Sequence, residues 1–258
     1  MGTALLVFAG LSAVIFDFAP ASPAAGLLRN PWTLRLLTGL LFGGVGALLA
    51  ISPVGRISGA HLDPVLSWAF WLAGSLTAGD AALYTVAQCV GAVAGALALQ
   101  PVWGATGAAV HFGATLPTGG TLLALVGEVG VTFALVGLIL FFSGRPALRR
   151  FTPAAIPPLV ALLVAFEAPW SGTSMNPARS LGPALVASRA GVLWIYLLGP
   201  ALGAALAALA VVESGRVHVA KVAHHGHDPL DRFHGLAAHG PLGFLRRRAA
   251  DTGAGGRP

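Results

Sequence analysis

Apolar runs of membrane-spanning length alternate along this chain with short polar or proline-bearing breaks. They fall at about 3–19, 34–51, 80–100, 121–143, 153–168 and 192–212. A spanning helix takes roughly 20 apolar residues, within a range of about 17–25, so each run reads as a span. The fifth is short by this measure, and its start among Pro153, Pro157 and Pro158 is loosely defined. Two further runs, 63–74 and 176–187, are too short to cross and predict re-entrant half-helices. Non-helical backbone at membrane depth is tolerated only inside protein or beside a watery cavity. Two half-helices therefore predict a cavity.

The order repeats: two spans, a short segment, one span, then the same again. Gln88-Cys89-Val90-Gly91-Ala92 in the third span echoes Pro200-Ala201-Leu202-Gly203-Ala204 in the sixth. Three spans per half is an odd number, so the second half runs inverted relative to the first. Inverted repeats with broken helices place a site near the midplane. The expected fold is an all-α membrane protein of six transmembrane helices plus two re-entrant half-helices. Its channel domain covers 1–212, with repeats at about 1–100 and 121–212, and a separate tail covers 213–258.

Composition agrees with the pattern. Hydrophobic residues make up 56% of the chain and charged residues 9%, with a mean hydropathy of +0.80; soluble domains carry about 25% charged residues. The single cysteine, Cys89, excludes an internal disulfide and a cysteine-cluster metal site. No basic region precedes the first apolar run, so that run reads as a membrane helix and not as a cleaved signal. Lys and Arg set the orientation. Arg56, Arg145, Arg149, Arg150 and seven tail residues lie on one side, against Arg29, Arg35 and Arg189 on the other. Both termini are therefore expected in the cytoplasm, and this topology accounts for the basicity without nucleic acid. The tail holds most of the histidines, including His224-His225-Gly226-His227, and the run Arg246-Arg247-Arg248. It reads as a solvated, disordered segment with the alternative of a metal site, and its arginines suit anionic lipid. No cofactor and no metal centre are expected in the apolar domain.

The chemistry gathers at Ser58-Gly59-Ala60-His61-Leu62-Asp63-Pro64-Val65 and Ser171-Gly172-Thr173-Ser174-Met175-Asn176-Pro177-Ala178-Arg179. Asn and Asp are good N-caps and Pro suits the first helical position. Asp63-Pro64 and Asn176-Pro177 should therefore each start a half-helix, its partial positive end at the midplane. Two such ends repel small cations. An Asn cap accepts from the helix with its oxygen and donates to a solute with its nitrogen. Arg179 lies about one turn beyond Asn176. An intramembrane charge points to function; the plainer reading is an ion pair with Glu128 or Glu167.

These two boxes resemble the twin Asn-Pro-Ala boxes of the aquaporin (major intrinsic protein) family. Gly2-Thr3-Ala4 through Gly10 resembles the family's first-helix start, and Glu128 to Thr132 its fourth-helix counterpart. The resemblance covers about 1–212 and implies six spans, two half-helices, a pore in each subunit and a homotetramer. It implies a midplane pore at Asp63, Asn176, Val65, Ala178 and His61, supported by Glu128, Pro64 and Pro177. Backbone carbonyls around His61 and Ser174 would offer a line of acceptors. Counting without gaps from the boxes places the outer filter at Gly43, Val164, Thr173 and Arg179, an opening wider and more apolar than that of strict water channels; a shift of one residue would put Phe42 in place of Gly43 and change that answer. Gly43 reads equally as a helix-packing residue beside Gly39, Gly44 and Gly46.

The chain departs from the family twice. A glutamate usually precedes the first-helix Gly-Thr, and here Met1 does. Either the loop near His61 is less well supported or the native start lies upstream. Second, Asp63-Pro64-Val65 stands for Asn-Pro-Ala. Asp63 keeps the cap but, when ionised, has no hydrogen to donate, whereas protonated it keeps one; the expectation is a weaker midplane barrier to cations, and the plainer reading is a neutral variant, with Asn176 and the helix ends sufficient. The resulting reading is a passive plasma-membrane channel for water and small uncharged solutes such as glycerol. The competitors are an ion-coupled transporter using Asp63 and a non-conducting structural member of the family. No nucleophile–base pair suggests an enzyme.

Overall fold

The computed structural model describes residues 1–28 and 30–213. The histidine cluster and arginine run of the tail, and Arg29, lie outside the described residues. Six long helices and two half-helices form the body: α1 (Gly2–Phe18), α2 (Pro31–Ile51), the half-helix α3 (Pro64–Leu72), α4 (Ala78–Leu97), α5 (Thr121–Ser143), α6 (Thr152–Ser171), the half-helix α7 (Pro177–Val186) and α8 (Leu193–Glu213). Five of the long helices have at least 20 residues. The first has 17, which at 1.5 Å per residue is about 26 Å.

Capping chemistry sets several starts. The Asn30 side chain accepts from Trp32 N–H ahead of Pro31, and Thr77 Oγ1 accepts from Asp80 N–H at α4.

The packing repeats with the sequence. Helix α1 lies against α4 as α5 lies against α8, and α7 lies against α4 as α3 lies against α8. Helices α2 and α6 join the two halves. Close approach rests on glycine at the half-helix contact: a Cβ at Gly182 would meet the Ala92 carbonyl oxygen at 2.5 Å. Two apolar clusters repeat the same symmetry. One holds Val65, Ala69 and Phe70 against Val136, Leu140 and Ala204; the other holds Val7, Leu11 and Ile15 against Ala92, Ala96 and Ala178. The outside is a belt of exposed apolar side chains, with Leu83 72% and Val90 66% exposed. Such a belt suits lipid or a neighbouring subunit, not water.

The run read as 80–100 breaks at Ala98. A separate short helix, Leu99–Ala108, follows and kinks at Gly104 (φ 43°). A tight turn at His111–Gly113 then carries the chain back over the outer face. The apolar pattern does not reveal this excursion, and it bears on the site below.

Candidate functional site

The half-helices meet through their caps. Asp63 Oδ1 accepts from Val65 N–H at 3.0 Å. Asn176 Oδ1 accepts from Ala178 and Arg179 N–H at 3.0 and 3.1 Å, while its Nδ2 donates to the Leu62 carbonyl oxygen at 3.2 Å. Pro64 and Pro177 occupy the first helical positions. An amide nitrogen carries two hydrogens, so the bond to Leu62 leaves one for a solute. Both cap residues line one inner cavity of about 620 Å³.

Glu128 organises the loop before α7. It is fully buried and accepts from Ser171 Oγ (2.6 Å), Ser174 N–H (2.6 Å) and Met175 N–H (2.9 Å). In a trans peptide the N–H and the preceding carbonyl point opposite ways. Drawing the Ser174 and Met175 N–H groups onto Glu128 therefore turns the Thr173 and Ser174 carbonyls the other way. Thr173, Ser174 and Met175 all line cavities. The turn requires φ of +52° at Thr173 and +56° at Met175, a conformation costing non-glycine residues of order 1 kcal/mol each. Three hydrogen bonds to a carboxylate offset that cost.

The loop before α3 is held by the opposite chemistry. Gln88 Nε2 donates to the His61 carbonyl at 2.9 Å and to Ser67 Oγ at 3.1 Å. Thr3 Oγ1 reaches the Leu62 carbonyl at 3.5 Å, and Tyr84 donates its hydroxyl to the Ser58 carbonyl at 2.9 Å. An amide on α4 thus grips carbonyls where Glu128 grips N–H groups. This loop has support without a first-helix carboxylate. The His61 carbonyl accepts from Gln88, and the residues ahead of it, Gly59 and Ala60, line the inner cavity. The His61 ring stacks on Tyr84 with centroids 4.5 Å apart, and its Nδ1 meets Ser67 Oγ at 3.0 Å.

A second cavity, of about 240 Å³, lies outward of the junction. Phe42, Val164, Thr173 and Arg179 all line it. Arg179 is buried, donates from a guanidinium nitrogen to the Gly113 carbonyl at 3.0 Å, and sits 5.6 Å from the Phe42 ring centroid. The short excursion after α4 supplies that carbonyl. Arg179 is anchored by backbone, while Glu128 and Glu167 are taken up by the loop. Phe42, Val160, Ser174 and Met175 belong to the walls of both cavities.

Four of the expected site residues, Gly43, Val65, Ala178 and His61, lie away from the outer cavity. Gly43 lies on the inner cavity, not the outer one. A Cβ there would fall 2.9 Å from Pro157 Cα, so Gly43 is, with Gly39, a close-contact point of α2 on α6. The residue beside Arg179 is its neighbour Phe42. Val65 and Ala178 do not line the path with their side chains: both are wholly buried, in the apolar clusters behind α3 and α7. The His61 ring likewise points into its hydrogen-bonded pocket and lines neither cavity. The fold adds Gln88 and Gly113 to the site, and it gives Glu167 a loop partner, Thr173, in place of the expected Arg179. Of these, Gln88 and Glu167 carry the one sequence signal available, a polar side chain in an apolar span.

Comparison with known proteins agrees with this fold. Residues 1–211 match the family described as Major intrinsic protein. Aquaporin NIP1-4 of Oryza sativa subsp. japonica is 35% identical over 211 residues, covering 81% of this chain and 72% of its own. The probable aquaporin TIP2-2 of Arabidopsis thaliana is 33% identical, covering 81% and 82%. Among solved structures, the aquaglyceroporin from Plasmodium falciparum superposes with a TM-score of 0.64 at 20% identity, covering 81% of this chain and 90% of that one.

Proposed function

The chain belongs to the major intrinsic protein (aquaporin) family, and on that premise we propose that it is a passive pore for water and small uncharged solutes up to the size of glycerol. It is a multi-pass membrane channel protein and not an enzyme. The observation that carries the reading is Asn176, whose oxygen caps α7 and whose nitrogen stands at the cavity where the two half-helices meet. Positive helix ends and a buried guanidinium repel cations, while the lining donors and acceptors replace a neutral solute's water shell. Phe42, Val164, Thr173 and Arg179 form the outer filter in this reading. Phe42 narrows it relative to an opening at Gly43, and Val164 adds an apolar wall that suits the carbon backbone of a polyol.

The same premise supports a homotetramer in the plasma membrane with both termini cytoplasmic. The exposed apolar belt gives such an assembly its contact surface.

Stopped-flow light scattering on proteoliposomes tests the function. Water and glycerol permeabilities above the lipid background, independent of any ion gradient, are expected. Flux that needs a proton or sodium gradient would instead favour the coupled transporter, which the position of Asp63 on the inner cavity makes the second reading.

A further inference from the structure

Two carboxylates outside the caps remain to be explained. Glu167 on α6 is 3% exposed; its Oε2 accepts from Thr173 Oγ1 at 2.5 Å and its Oε1 has no hydrogen-bond partner. Asp17 on α1 is fully buried; its Oδ2 accepts from Thr38 Oγ1 at 2.5 Å and its Oδ1 has no partner. Neither acid lines a cavity, but Thr173 and Thr38 both line the outer one, together with Arg179 and Arg35. Each carboxylate therefore sits one hydroxyl behind the wall. The fold makes room for Glu167: a Cβ at Gly127 would come 2.5 Å from Oε1.

Burying an incompletely paired carboxylate is costly, so two such groups behind one cavity call for a reason. A hydroxyl has one hydrogen and two lone pairs, whereas an ionised carboxylate only accepts. Thr173 and Thr38 spend their hydrogens backward, on the acids, and are left to face the cavity as acceptors. Arg179 and Arg35 are donors only. The outer cavity then carries fixed acceptors beside fixed donors.

We propose that Glu167 and Asp17 are positioning residues that hold Thr173 and Thr38 as hydrogen-bond acceptors, so that the outer cavity favours solutes bearing several donor groups, such as polyols, relative to water. The inference rests on the channel reading above and names what the filter selects.

A double-variant cycle tests it, reading the ratio of glycerol to water permeability in proteoliposomes. Thr173→Val and Glu167→Leu should each lower the ratio by roughly threefold or more, the effect of one lost hydrogen bond. Thr173→Ser should retain it, and so should Glu167→Gln, whose amide oxygen still accepts from the Thr173 hydroxyl. The double variant of Thr173→Val with Glu167→Leu should fall no further than Thr173→Val. Asp17→Leu against Thr38→Val gives the same cycle at the second pair. A ratio unchanged in Glu167→Leu overturns the proposal. So does a double variant whose losses multiply, since Glu167 would then act without the Thr173 hydroxyl. If Glu167→Leu does not fold, the serine and valine variants decide: an unchanged ratio in Thr173→Val overturns it. A parent protein passing neither solute defeats the channel reading itself. A parent passing water but no glycerol defeats this inference alone.

Discussion

Asn176 Nδ2 donates to the carbonyl oxygen of Leu62 across 114 residues of sequence, so the cap of one half-helix is tied directly to the loop that starts the other. The same side chain caps α7 with its oxygen. Removing it as Asn176→Ala strips a cap worth about 1 kcal/mol and leaves the Leu62 carbonyl only its longer bond from Thr3, a further loss of about 1 kcal/mol for one hydrogen bond. The expected outcome is a lower thermal midpoint in detergent together with reduced water permeability. Asn176→Asp keeps the cap acceptor and loses the donor, so it should recover part of the stability and little of the flux.

Asp63 holds the equivalent cap with a carboxylate, accepting from Val65 N–H. A carboxylate beside the inner cavity opposes the cation barrier raised by the helix ends. Asp63→Asn is expected to lower proton and sodium leak in proteoliposomes while leaving the cap intact. A pH-sensitive dye inside the vesicles reads the leak. Equal leak in the two proteins would show that the helix ends and Arg179 suffice, and that the substitution is neutral.

Glu128 takes three hydrogen bonds from the end of α6 and the loop after it, two of them from consecutive N–H groups. Glu128→Gln replaces one acceptor oxygen with a donor that must face an N–H or hydroxyl hydrogen. At about 1.5–3 kcal/mol for a hydrogen bond to a charged group, the left-handed turn at Thr173 and Met175 loses its anchor. Protease sensitivity at the loop and a loss of both water and glycerol flux are expected. Preserved flux with an unchanged glycerol ratio would show that the loop holds its shape without the carboxylate.

How far the sequence revealed this site depends on the range of each contact. Asp63-Pro64 and Asn176-Pro177 announce their half-helices because capping is local, and both helices begin at those prolines. The spans were legible because apolar length is a local quantity. The partners of the loops were not. Gln88 lies 27 residues from the His61 carbonyl it holds, and Gly113 lies 66 residues from Arg179; neither relation leaves a periodic trace. Val65 and Ala178 stand inside the boxes, yet a half-helix turns successive side chains by roughly 100°, so adjacency to a cap does not give adjacency to the path.

That rotation also separates Phe42 from Gly43, and the two positions give opposite results when changed. Phe42 lines the outer cavity beside Arg179, whereas Gly43 meets the α6 backbone, where a Cβ would lie 2.9 Å from Pro157 Cα and 3.1 Å from Val160 Cβ. Gly43→Ala is therefore expected to push α2 off α6 and to destabilise the protein by about 1–3 kcal/mol, read as a lower midpoint in detergent. Its effect on solute choice should be small, because the side chain does not enter the outer cavity. Phe42→Ala removes a ring from the wall that both cavities share. It should raise glycerol permeability relative to water and extend passage to larger polyols such as erythritol. If Gly43→Ala changed the glycerol ratio and Phe42→Ala did not, the filter would belong at Gly43, where ungapped counting first put it.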